Sequence, residues 1–160
     1  MKKAPKTIII SGTTRNVGKT TFACQLIEKY KSEGVTAIKI SPHFHNLNSD
    51  ADIIFSNNDF IIIKEHNFDG NKDSSRMLNA GAKEVFFIMT KDENLDEIVN
   101  YLFNIIDINT RIIIESAAIR RYIEPVFFYL LYNDEYSNIK HQNIDLDKFV
   151  DLRINSKDIL

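Results

Sequence analysis

Gly12, Gly18, Lys19 and Thr20 stand at a spacing that could do chemistry on a polyphosphate. They lie within the run Ser11-Gly12-Thr13-Thr14-Arg15-Asn16-Val17-Gly18-Lys19-Thr20-Thr21, which follows the apolar run Ile8-Ile9-Ile10 and opens an amphipathic segment. The order is strand, glycine loop, helix. Backbone N–H groups of such a loop point inward at an anion, and the dipole of the helix that follows favours negative charge there. On this reading Gly12, Thr13, Thr14, Arg15, Asn16, Val17, Gly18, Lys19, Thr20 and Thr21 line the anion. Lys19 would reach the terminal phosphates, and the Thr20 hydroxyl would ligate Mg²⁺. The usual spacing puts the first glycine where Thr13 stands, so Gly12 is one residue early. The alternative is an ordinary Gly-rich turn before a helix.

A second candidate is Glu115, which ends the apolar run Ile112-Ile113-Ile114. A buried strand ending in an acid places a carboxylate at the sheet edge where α/β folds bind ligands. If that strand neighbours the first one, Glu115 faces the metal held by Thr20, directly or through water, or orients an attacking water. Otherwise it caps Ala117-Ala118. Lys39, at the end of a strand, is either a phosphate or carboxylate contact or a snorkelling surface lysine. Asp73 is either a catalytic carboxylate near Mg²⁺, with Arg76 on a phosphate, or the N-cap of a helix beginning at Ser74. His43 and His45 are metal or phosphate ligands, or solvated loop residues. Thr90-Lys91-Asp92-Glu93 could read a guanine base, but Asn94-x-x-Glu97 also makes it the lead-in to a capping box. Arg120 and Arg121 are either an anion or partner contact or a solvated basic face.

These residues need a scaffold, and hydrophobic periodicity outlines one. Thr7 to Ser11 reads as a first strand covered on both faces, because its apolar run lacks polar alternation. A helix runs from Lys19 to Glu33 on the stripe Phe22, Ala23, Leu26, Ile27 and Tyr30, with Gly34 as its stop. A second strand, Val35 to Ser41, ends at Pro42. The polar stretch from Ser41 to Asp52 reads as a loop or switch. Asp52–Phe55 and Phe60–Lys64 flank a turn and read as a hairpin. Further expectations are a helix from Ser74 to Ala80 and a strand from Val85 to Met89. A helix from Asn94 to Asp107 and a strand from Arg111 to Glu115 follow. Ala117 to Ile123 reads as a short helix, Val126 to Tyr132 as a central strand and Phe149 to Ile154 as a late edge strand. The βαβ-like opening argues for a three-layer α/β fold with a mostly parallel sheet and a few antiparallel edge strands.

Composition sets the limits. The chain has 160 residues and a net charge of −2 with both signs interspersed, which predicts one domain, 1–160, and no nucleic-acid footprint. It is long enough to bury about 70% of its unfolded surface. One cysteine, Cys24, excludes an intrachain disulfide and fits a reducing cytosol. Met1-Lys2-Lys3 looks like a signal n-region, but the following apolar run is too short for an h-region. No segment approaches the ~18 apolar residues of a membrane span. The expectation is a soluble cytoplasmic protein.

Four stretches resemble the MobB family of molybdopterin-guanine dinucleotide biosynthesis adaptor proteins, which are P-loop NTPase domains. Arg15-Asn16-Val17-Gly18-Lys19-Thr20-Thr21 is similar to that family's loop. Ile38-Lys39 with His43 and His45 is similar to its Lys-His-x-His-His segment. Lys72-Asp73-Ser74-Ser75-Arg76 with Ala80-Gly81-Ala82 is similar to an element not generic to phosphate loops. The strand ending in Glu115 stands where the family has an acid before Gly, although Ser116 replaces that Gly. The likeness covers residues 7 to 116. It implies GTP as the nucleotide, weak hydrolysis, a homodimer, and cofactor-assembly proteins as partners. The loop, with Lys39-Ile40-Ser41-Pro42, also resembles dethiobiotin synthetase, an ATP-dependent ring-forming ligase. That likeness accounts for the early glycine but not for Lys72 to Ala82. A module whose bound nucleotide is non-catalytic is the third possibility.

Overall fold

The computed structural model describes residues 1–159. One eight-stranded sheet organises them, in the order β3-β4-β5-β2-β6-β1-β7-β8. The strands are β1 (Lys2–Gly12), β2 (Thr36–Ser41), β3 (Asp52–Ser56), β4 (Phe60–Lys64), β5 (Glu84–Thr90), β6 (Ile112–Glu115), β7 (Ile123–Tyr132) and β8 (Leu152–Asn155). From β5 to β8 all neighbours run parallel; β4 is antiparallel to both β3 and β5. The hairpin is thus present, and its turn is closed by Asn57, whose side-chain oxygen accepts the N–H groups of Asp59 and Phe60 at 2.8 Å.

Three α-helices, α1 (Lys19–Tyr30), α2 (Asp73–Asn79) and α3 (Leu95–Ile105), cover the two faces. On one face α1 and α2 bury Ala23, Leu26, Ile27, Met77 and Leu78 against Ile8, Ile10, Ala37 and Ile113. On the other, α3 and the 3-10 turns at Ala118–Arg121 and His141–Phe149 bury Leu95, Ile98, Val99, Leu102, Ile119 and Leu146. These pack on Ile9, Ile38, Ile112, Ile114 and Phe128. Alternation along a strand sends successive side chains to opposite faces, so the unbroken isoleucine runs feed both cores. Each fully buried isoleucine contributes about 1.5–3 kcal/mol relative to exposure. The result is a three-layer α/β architecture.

Several expectations are corrected. β1 starts at Lys2, because Lys2 to Ala4 pair with Ile123 to Pro125 of β7. β7 is not central: only β8 lies outside it, and Val126 and Phe127 are exposed. The first helix ends at Tyr30 and tightens into a 3-10 turn over Lys31–Glu33, which Gly34 closes at φ 73°. Lys72, not Asp73, is the N-cap of α2. No capping box forms at α3; the Asn94 amide instead donates to the Asp59 carbonyl at 3.3 Å.

Candidate functional site

The turn from β1 into α1 opens onto a cleft of about 1000 Å³ at the C-terminal ends of β1, β2 and β6. The loop is shaped by its own residues. Gly12 has no side chain because a Cβ there would come within 2.5 Å of Val17 Cγ1, and Val17 is buried beneath the loop. Thr13 anchors the loop outward: its N–H donates to the Leu131 carbonyl at 3.0 Å and its hydroxyl to the Tyr136 carbonyl at 2.7 Å. Arg15 and Asn16 are exposed at the cleft wall, with Asn16 left-handed at φ 63°. Gly18 is left-handed at φ 101° and precedes the first turn of α1. The Lys19 ammonium donates to the Thr14 carbonyl at 3.1 Å. Burial pushes the Lys19 amine below its usual range; the field of Glu115 opposes this, and Lys39 and Lys140 reinforce it.

β6 lies directly beside β1, with Glu115 opposite Ile10. Glu115 is 2% exposed, and its Oε2 accepts the Thr20 hydroxyl at 2.8 Å. It makes no capping bond: the turn at Ala118–Arg121 has no side-chain cap. Its other oxygen is engaged by the Lys39 ammonium, because β2 flanks β6 with Lys39 in register with Glu115. Lys39 is also 3.1 Å from Asp73 Oδ2 on the first turn of α2. Arg76, one turn along, lies 3.7 Å from Asp73 Oδ1 and donates to the Thr21 hydroxyl at 3.0 Å. The fold therefore gathers the loop, Lys39, Asp73, Arg76 and Glu115 into one connected polar network. The buried Glu115 carboxylate is tolerated there because it is paired with Lys39 and hydrogen-bonded to Thr20.

Other candidates fall outside that network. His43 and His45 line the cleft from the exposed segment after β2, and His45 stacks on Phe87 with centroids 5.6 Å apart. Among the described residues no three His, Cys, Asp or Glu side chains gather as a metal cluster. Thr90 ends β5 and Lys91 to Glu93 follow it, with β2 and β6 between that strand and β1. The reading of Arg120 and Arg121 as a solvated face is corrected. Arg120 is buried over the Phe149 ring, and Arg121 pairs with Asp145 at 2.7 Å. Sequence reasoning missed Lys140, Gln142 and Asn143 in the cleft wall, and Ile159, whose side chain seats on Gly18. No motif marks these four, since each reaches the site only through the path of the chain after β7.

Among the described residues no helix is long and apolar enough to cross a membrane. No family model and no curated protein matches the chain. A solved structure does: the "apo" form of LpxK from Aquifex aeolicus in complex with ATP, at TM-score 0.58 and 11% identity. The match covers 97% of this chain and 49% of that one, so the chain spans about half the length of the structure it resembles. The likeness supports the fold alone: a three-layer α/β architecture around a mostly parallel sheet with antiparallel edge strands.

Proposed function

We propose that this chain binds a nucleoside triphosphate with Mg²⁺, the polyphosphate lying in the loop from Gly12 to Thr21. The observation that carries the reading is the Thr20 hydroxyl bonded to the buried Glu115 carboxylate, one residue from a lysine that caps the loop's own carbonyl. Mg²⁺ takes hard oxygen ligands, commonly one or two carboxylates with waters and phosphates. Thr20 and Glu115 fit that requirement, Glu115 directly or through water. When bound, the metal would neutralise charge on the phosphates. Lys19 would leave the Thr14 carbonyl for the terminal phosphates. Asp73 and Lys39 would position the reacting end.

On the finer reading the nucleotide is GTP, hydrolysis is slow, and the chain is a cytoplasmic, homodimeric MobB-like adaptor in molybdenum cofactor (molybdopterin guanine dinucleotide) assembly. Its support is the meeting of Lys39 with Asp73 at 3.1 Å, since these come from two separate stretches of that resemblance. A second reading, an ATP-dependent ligase similar to dethiobiotin synthetase, draws on the size of the cleft, at the upper end of ligand pockets.

The test is thermal melting of the full chain and of Lys19→Ala with Mg²⁺ and each nucleotide. A ligand at a hundredfold its Kd adds about 2.7 kcal/mol, roughly 5–10 °C for a chain of this size. The wild type gains that shift and Lys19→Ala loses most of it. GTP preferred over ATP with little turnover supports the adaptor. ATP turnover stimulated by a small amine or acid supports the ligase. Binding with no turnover and no partner leaves a nucleotide-binding module, and no shift with any triphosphate overturns the proposal.

A further inference from the structure

Lys39 extends from the C-terminal end of β2 to a point between β6 and α2. Its ammonium touches Glu115 Oε1 and lies 3.1 Å from Asp73 Oδ2, while Glu115 Oε2 holds the Thr20 hydroxyl at 2.8 Å. A monovalent cation thus sits between two carboxylates, one of which also accepts the Thr20 hydroxyl; carboxylate and hydroxyl oxygens are the ligands a hard divalent ion uses. The tether is short. Lys39 stands opposite Glu115 in the β2–β6 register, and the lysine side chain is 17% exposed. Among the described residues Glu115 has no other ion-pair partner, whereas Asp73 also has Arg76. Glu115 is therefore the group that most needs a cation beside it.

We propose that Lys39 is a built-in competitor for the divalent cation. Its ammonium neutralises Glu115 in the nucleotide-free protein, and the metal enters with a triphosphate whose anionic oxygens draw the ammonium off the carboxylate. The inference rests on the reading of this cleft as a triphosphate and Mg²⁺ site. Its physical basis is that an ammonium and a divalent ion repel strongly a few ångströms apart where the dielectric is low. Metal and nucleotide then bind cooperatively, each raising the affinity of the other. Asp73 keeps Arg76 as its counter-ion when Lys39 swings away, so the move strands no carboxylate.

The test reads Mn²⁺ binding without nucleotide, from the paramagnetic resonance signal of the free ion. The full chain is compared with Lys39→Met and Lys39→Gln in the same buffer. Removing the ammonium tightens Mn²⁺ binding at least about tenfold, and adding Glu115→Gln to either variant abolishes the gain. Unchanged or weaker Mn²⁺ binding in a folded variant overturns the proposal. If neither variant folds, the wild-type Lys39 Nζ resonance decides. It shifts when Mg²⁺ and triphosphate are added together and not with Mg²⁺ alone, and a resonance that never moves overturns the idea. A triphosphate that fails to stabilise the wild type sinks the nucleotide reading, while the nucleotide-free Mn²⁺ comparison still reports on Lys39 alone.

Discussion

Gly18-Lys19-Thr20 could be recognised as a unit because its chemistry is local: three consecutive residues carry the turn, the charge and the hydroxyl. The early glycine, by contrast, is explained by no part of that motif. Its cause is Val17, which folds back beneath the loop and leaves no room for a Cβ at position 12. Cys24 follows the same logic. It sits one helical turn beyond Thr20 on α1, packed at the border of the α1–α2 core. Burial pushes its thiol above the usual range, and Arg76 opposes this only in part. A thiol whose folded pKa is raised stabilises the fold fully below its unfolded pKa, about 8.5. That contribution is lost as pH climbs through the higher folded value. Alkylation of Cys24 is accordingly slow at neutral pH and accelerates at a higher pH than that of a free thiol. A rate profile matching an unperturbed thiol would show that the group is not shielded.

Among the elements, the 3-10 turn at Ser156–Ile159 has the least expected role. It brings Ile159 onto Gly18 and lets the Gln25 amide donate to the Ile159 carbonyl, so it braces the point where loop becomes helix. Ile159→Ala should cost about 2–5 kcal/mol as a large-to-small change at a buried site and blunt the response to triphosphate. Gly18→Ala should cost at least about 1 kcal/mol from its left-handed backbone alone, and more from the collision 2.6 Å from Ile159 Cδ1. Thermal melts with and without nucleotide measure both. A wild-type response in Ile159→Ala would mean the turn does not position the loop. Periodicity located β2, β4, β5, β6 and α3 to within a few residues. It failed on β7, because an apolar run such as Val126–Tyr132 reads alike whether one or both of its faces are covered.

For the whole molecule, the two cores share one sheet, and β1 serves both: Ile8 faces the α1–α2 side and Ile9 the α3 side. The expectation of one domain therefore has a direct test. Ile8→Ala and Ile9→Ala each remove about 2–5 kcal/mol and lower the same single unfolding transition. Circular dichroism and tyrosine fluorescence should coincide throughout. Two separated transitions, each responding to one variant, would divide the chain into independent units.

By itself the sequence determined the phosphate-loop motif, the parallel α/β class and the strand-end acid, because each is written in neighbouring residues as a period, a spacing or a stop signal. Tertiary structure alone decided that Lys39 bridges Glu115 and Asp73 with Arg76 beside Asp73, that Lys140 and Ile159 close around the loop, and that Arg120 is buried rather than solvated. Those contacts join residues far apart in the chain, and only strand order and register bring them within reach.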